Sequence, residues 1–265
     1  MFGFKTKRRA RLRNQPFPAD WLHILERNVP YYRFLPAEDQ KELQGRIQVF
    51  LAEKNLEGCG GLELTDEIRV TIAAYACILL LHRETDYFSR LVTILVYPHA
   101  FVAEVTKKGP GRWTIKGEET RVGESWQYGV VILAWDDVIF SIANPDDGHN
   151  IIFHEFAHQL DAENGAPDGF PLVEDAEVAD EWSEVFTEAY DQFLDDLDHG
   201  YDTLIDPYGA ESPSEFFAVV TETFFELPHE LQEEHPKLYD ALKHYFRQDP
   251  ARLLPRIDDS TQNNL

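Results

Sequence analysis

The chain has 265 residues, of which 43% are hydrophobic, with 18 Phe, 11 Tyr and 5 Trp, a composition that excludes wholesale disorder and allows a large core. Only Cys59 and Cys77 are present, which argues against a disulfide framework and a cysteine-based zinc site and suits a reducing compartment, so a cytoplasmic location is expected. The net charge is −24 and unevenly spread: residues 1–13 carry Lys5, Lys7, Arg8, Arg9, Arg11 and Arg13 with no acid, whereas Val122 to Pro236 contains no Lys or Arg at all. That anionic half opposes direct nucleic-acid binding and suits a cationic ligand such as a peptide with a free amino terminus, although an acidic surface also serves solubility alone.

The basic stretch is followed at once by Gln15-Pro16-Phe17-Pro18, without the apolar run of a secretory signal, and residues 1–15 are expected to form a disordered arm. Pro18 to Asn28 reads as a short amphipathic helix with Trp21, Leu22 and Leu25 inward, ended by Pro30. Pro36 opens a second helix, with Leu43, Ile47, Phe50 and Leu51 at helical spacing. After a break at Gly58, Gly60 and Gly61, Thr65 caps a third helix from Asp66 to about His82. Its apolar run, Ile72 to Leu81, is about half of the ~20 residues that a membrane span needs, so no span is expected.

Strand character follows in Leu91 to Tyr97 and Phe101 to Val105, separated by Pro98, then a hairpin around Trp113, then a strand from Trp126 to Trp135. That last strand, just before the central motif, is either a plain core strand or an edge along which an extended peptide pairs.

The stretch Gly148 to Asp161, GHNIIFHEFAHQLD, contains the HExxH pattern as His154, Glu155 and His158. With about 3.6 residues per helical turn, both imidazoles lie on one face and reach one metal ion, with Glu155 beside them to hold a water. Ile151, Ile152, Phe156, Ala157 and Leu160 supply apolar cover, and Asn150 or Asp147 is the expected cap. Burying the ionisable trio unpaired would cost several kcal/mol, whereas a divalent cation satisfies it, so the motif predicts a zinc hydrolase. Beyond a Gly/Pro loop, helices are expected from about Val178 to Leu197, from Ser212 to Pro228 and from Pro236 to Gln248, and residues 254–265 as a frayed tail.

A catalytic zinc usually takes three protein ligands and leaves a fourth position for water. A third His six residues after His158 is absent, because Asn164 stands there. The candidates are Asp161, Glu215 and Glu222. Asp161, three residues past His158, is better placed to receive an imidazole N–H. Glu215 and Glu222 are two turns apart on one helix and share a face; Ser212-Pro213-Ser214-Glu215 is also a capping box, while Glu222 cannot be a cap. Spacing alone leaves these two open.

LTDEIRVTIAAYACILLL, ILAWDDV, HEFAHQLD and SPSEFFAVVTETFF, in this order and within a match from about Pro18 to Leu253, resemble the Mlc titration factor A family, glucose-regulated zinc metallopeptidases of bacteria. The resemblance implies that Glu215, opening its helix, is the third ligand of one Zn2+. The family is in turn similar to the catalytic domain of anthrax lethal factor, in which a Tyr seven residues before the ligand Glu assists catalysis; here that position is Tyr208. The expected fold is therefore α+β, a zincin-like (gluzincin) metallopeptidase in one domain, residues 16–253, with a helical part (16–85) and a sheet and catalytic part (86–253). The expected activity is hydrolysis of short peptides, as an aminopeptidase by resemblance, with Glu155 and Tyr208 catalytic. Family members also capture the repressor Mlc, so a repressor-binding protein with a secondary zinc site is the alternative expectation.

Overall fold

The computed structural model describes residues 2–108, 114–121, 129–165, 167–173 and 176–256. The expected turn around Trp113, the residues Trp126 to Tyr128 and most of the expected frayed tail lie outside these.

The N-terminal part is helical: α1 (Phe2–Arg13), α2 (Ala19–Asn28), α3 (Pro30–Phe34), α4 (Ala37–Glu53) and α5 (Asp66–Ile78). Pro30 ends α2 but also opens α3, since a proline at the first helical position sacrifices only an N–H that would be unpaired anyway. Helix α5 is the central one. Thr65 caps it through its side chain, and residues 70–81 are buried on every side, which explains a run apolar all round.

The expectation of a disordered arm is corrected: residues 2–13 form helix α1. Arg9 fastens it, donating from Nε and NH2 to the Glu53 carboxylate (3.0 and 2.6 Å) and from NH1 to Asp86 (2.6 Å), with its guanidinium 4.7 Å from the centre of the Tyr87 ring. The helices also approach closely at Gly45, where a Cβ would stand only 3.2 Å from the Arg13 carbonyl oxygen. A local run of like charge suggests a solvated chain, but the acids that pair with this one come from positions far along the sequence.

Strands β1 (Asn55–Gly58), β2 (Thr93–Tyr97) and β5 (Val130–Ala134) form a parallel sheet in the order β1-β2-β5, with Ile94 paired to Leu56 and Val131. Leu56, Ile94, Val96, Val131 and Leu133 are buried, alternating along the strands as a sheet with one covered face requires, and Ala134 is buried where β5 ends. Gly129, at φ 74°, turns the chain into β5, and its carbonyl accepts the N–H groups of Val92 and Thr93. Strands β3 (Phe101–Lys108) and β4 (Thr114–Arg121) form a separate antiparallel pair. The expected strand to Trp135 is shorter, because Trp135 already begins helix α6 (Trp135–Ala143), with Asp136 and Asp137 in its first turn.

Next come α7 (Ile151–Asp161), α8 (Ala176–Asp198), α9 (Pro213–Glu226), α10 (Pro228–Glu234), α11 (Pro236–Phe246) and α12 (Pro250–Leu253). Helix α7 lies between β5, α5 and α9, and the buried side chains from α2 to α11 join one continuous core. The result is a helix-rich α+β architecture with a small parallel sheet. Both cysteines are free, and among the described residues no helix is long and apolar enough to cross a membrane.

Candidate metal centre

Helix α7 carries the HExxH residues, and Asn150 fixes its start. The Asn150 side-chain oxygen accepts the N–H groups of Ile152 and Phe153, both at 3.1 Å, which satisfies two of the donors that a helix leaves open at its start. Ile152, Phe153, Phe156, Ala157 and Leu160 are buried. Each contributes roughly 1–3 kcal/mol of burial, so the orientation of the helix is set by its apolar side and the imidazoles follow. Helix α9 packs beside it, with the Phe153 and Phe225 rings stacked at 4.9 Å. Ser212 caps α9, its hydroxyl accepting the Glu215 N–H at 3.2 Å.

Across this pair of helices the side chains converge. His154 Nε2 lies 3.1 Å from Glu215 Oε2, His158 Nε2 lies 3.2 Å from the same oxygen, and the two Nε2 atoms are 3.3 Å apart. The far nitrogens are held separately. Glu222 Oε1 accepts a hydrogen bond from His154 Nδ1–H at 2.7 Å, and its Oε2 accepts the Asn150 N–H at 2.5 Å. His158 Nδ1 meets Ser214 Oγ at 3.1 Å, and that hydroxyl donates to Asp161 Oδ2 at 2.9 Å. With its own proton committed to Asp161, the Ser214 oxygen accepts from His158. With the proton held on Nδ1 in this way, each imidazole in its neutral form presents its Nε2 lone pair to one point.

Two facing lone pairs and a carboxylate oxygen repel one another unless a cation lies among them. Tetrahedral zinc with bonds of about 2.0–2.2 Å separates its ligand atoms by roughly 3.3–3.6 Å, slightly wider than the spacings found here. The donor set, two imidazoles and one carboxylate, is that of a metal site with a place left for solvent. The electrostatics agree. Burial resists ionisation of Glu215, but the hydrogen bonds from His154 and His158 hold its carboxyl down at about 2. Burial likewise opposes charge on His154, yet the Glu222 and Glu215 carboxylates raise its pKa well above the usual imidazole value: the two acids favour a positive charge at this ring, which a proton supplies without a metal ion and a cation bound at Nε2 would supply in its place. His158 is lowered, chiefly by burial. Burial also pushes the Glu155 carboxyl up to about 7.

Tyr208 lies in a 3-10 turn, Pro207–Glu211, 47% exposed, with its ring centre 5.9 Å from that of His154. Asp206 holds this turn, its Oδ1 accepting the Tyr208 N–H at 2.7 Å while Oδ2 lies 3.2 Å from His149 Nε2, just ahead of α7. A second group, Asp39, Glu42 and His82, also comes together. There the Glu42 carboxylate already takes Arg46 Nε and the His82 N–H, so it is a salt-bridge cluster.

Of the three candidates for a third ligand, only Glu215 reaches the Nε2 side. Glu222 stands behind His154, and Asp161 addresses His158 through Ser214 instead of directly. Asn150 was legible as a cap of this helix, but its contacts with Glu222 and Glu226, and the part played by Ser214, were not. Nothing local marks these contacts, because their partners lie more than fifty positions away.

A largely buried His-His-Glu cluster with a carboxylate of raised pKa beside it, on a helix-rich α+β frame, fits the class of metallopeptidases. The sequence matches the glucose-regulated metallo-peptidase M90 family over residues 4–247, and the chain belongs to that family. It is similar to an uncharacterized protein of Synechocystis sp., 44% identical over 92% of this chain and 89% of the relative. It is also similar to Mlc titration factor A of Yersinia enterocolitica, 30% identical over 94% of both chains, and to Mlc titration factor A of Klebsiella pneumoniae, 32% identical over 84% of both.

Proposed function

We propose that the chain is a zinc-dependent peptidase with a zincin-like fold that cleaves short peptides from the amino terminus, in the cytoplasm. His154, His158 and Glu215 hold one Zn2+, with Glu222 and the Ser214–Asp161 pair orienting the imidazoles. When bound, the ion supplies Lewis-acid polarisation of the scissile carbonyl and a water whose pKa falls toward about 7. Glu155 takes the proton of the attacking water and delivers it to the leaving amine. The Tyr208 phenol donates a hydrogen bond to the carbonyl oxygen as it gains charge, worth about 3 kcal/mol by comparison with single donors of that kind. An extended substrate lies along β5, the end strand of the sheet, which packs on α7. The acidic half and the family resemblance support preference for a peptide with a free amino terminus.

The observation that carries this reading is the convergence of two Nε2 atoms and Glu215 Oε2 at mutual distances of 3.1–3.3 Å. The test is zinc content of the purified protein together with turnover of chromogenic aminoacyl and amino-blocked peptides. One zinc per chain and cleavage confined to free amino termini is the expected result. Protein without zinc, or with zinc and no turnover of either class, would overturn it.

A second reading, a binding protein that titrates a transcriptional repressor, is favoured by the name of its relatives, Mlc titration factor A. A Glu155→Gln variant that still captured an Mlc-like repressor would make that binding the primary role.

A further inference from the structure

A cavity of about 200 Å³ lies among α3, α5, α7 and α9, and shares none of its lining residues with His154, His158 or Glu215. Its walls are aromatic: Tyr31, Phe34, Tyr75, Phe153 and Phe225. Tyr75 meets Phe153 edge-on at 5.2 Å, and Tyr31 meets Phe225 edge-on at 5.8 Å. Phe34, 43% exposed, and Asp146, also exposed, carry the lining out to solvent.

Two polar side chains within it are out of place, the Tyr31 hydroxyl, buried with no hydrogen-bond partner among the described residues, and Glu226. Glu226, only 6% exposed, lines the cavity with its carboxylate half used. Oε1 accepts the Asn150 side-chain N–H at 2.9 Å, while Oε2 is buried with no hydrogen-bond partner among the described residues. Ionised, it lacks a donor; protonated, it lacks an acceptor; either state forfeits a hydrogen bond in an apolar place. The charged groups around it are of its own sign: Glu222, Asp146 and Asp147 nearby and Glu230 in the lining. His229 donates its Nε2 proton to the Leu254 carbonyl at 3.0 Å, and the phenols of Tyr31 and Tyr75 are kept neutral by burial. Burial first, then these neighbours, hold the Glu226 pKa well up. The pocket thus combines an aromatic interior with an unmet demand for a positively charged donor.

We propose that this cavity binds a small apolar primary amine, its ring among Tyr31, Phe153 and Phe225 and its ammonium on the free oxygen of Glu226. The size fits, since an apolar cavity of about 150 Å³ is enough for benzene. The ammonium supplies the donor that Oε2 lacks and neutralises the like charges around it, and the rings add cation–π attraction.

The test is a ¹⁹F NMR titration of the full chain with 4-fluorobenzylamine, 4-fluorobenzyl alcohol and 4-fluorotoluene. The amine is expected to bind saturably and at least tenfold more tightly than the other two, and Glu226→Gln to abolish that preference. Crystals soaked in 4-bromobenzylamine provide a second readout that does not depend on how the variant folds. Anomalous bromine density among Tyr31, Phe153 and Phe225 supports the proposal. No preference for the amine, a preference that survives Glu226→Gln, or bromine found only beside His154 and His158 would overturn it, and none of these outcomes bears on zinc content or peptide turnover.

Discussion

Glu222 spans two elements at once: one carboxylate oxygen holds His154 Nδ1 at 2.7 Å and the other holds the Asn150 N–H at 2.5 Å. The residue that fixes the His154 tautomer is therefore bonded to the backbone of the residue that starts α7. Glu222→Ala should weaken metal affinity 10–100-fold, as loss of a carboxylate behind a ligating imidazole generally does. Glu215→Ala should remove binding altogether. Chelator competition on both variants checks this, and the reverse ranking would make Glu222 the ligand.

Glu155 acts as a base only when ionised, and burial places its carboxyl at about 7 instead of the ordinary 4.5. A neighbouring cation lowers a carboxyl pKa, so in the metal-bound enzyme kcat/KM should rise with pH along an acid limb between those two values. The rise follows loss of the proton. Glu155→Gln should retain metal and lose turnover at every pH. A wild-type limb above pH 7, or an active Glu155→Gln enzyme, would exclude this role.

Tyr208→Phe removes a single phenol donor and leaves the ring near His154. A loss of about 100-fold in kcat is expected, with KM and metal content little changed, because a donor used only as charge develops acts on the rate and not on binding. A change in KM alone would make Tyr208 a substrate-binding residue.

Arg9→Ala should free α1 from α4 and leave Glu53 poorly solvated without its partner. The expected cost is about 3 kcal/mol, the low end for a broken buried pair, because Asp86 is half exposed. Burial resists ionisation of Glu53, yet Arg9 holds its carboxyl below the ordinary value. The stability this contributes is complete above the unfolded carboxylate pKa and is lost as pH falls through the lowered one. Urea denaturation of wild type and variant at neutral and acid pH should show the difference shrinking in acid. A difference that does not change with pH would mean that the loss is packing alone.

The sequence by itself determined what is local. Spacing put His154, Glu155 and His158 on one turn of a buried helix, Thr65 and Asn150 at helix starts, and alternating branched residues in β2 and β5; each rests on contacts within a few positions along the chain. Tertiary structure decided whatever needs a partner from elsewhere. Glu215 and Glu222 share a face of α9 and are equivalent by periodicity, and only the packing of α9 on α7 brings one to the Nε2 atoms and the other to Nδ1. The basic N-terminus read as a solvated arm because its acids, Glu53 and Asp86, lie more than forty residues away. Ser214 and Glu226 carried no sequence signal, since a hydroxyl relay and a half-paired buried carboxylate exist only once helices distant in sequence are side by side. Hydrophobic periodicity records which face of an element is covered; it does not record by what, and the chemistry of this chain lies in that second fact.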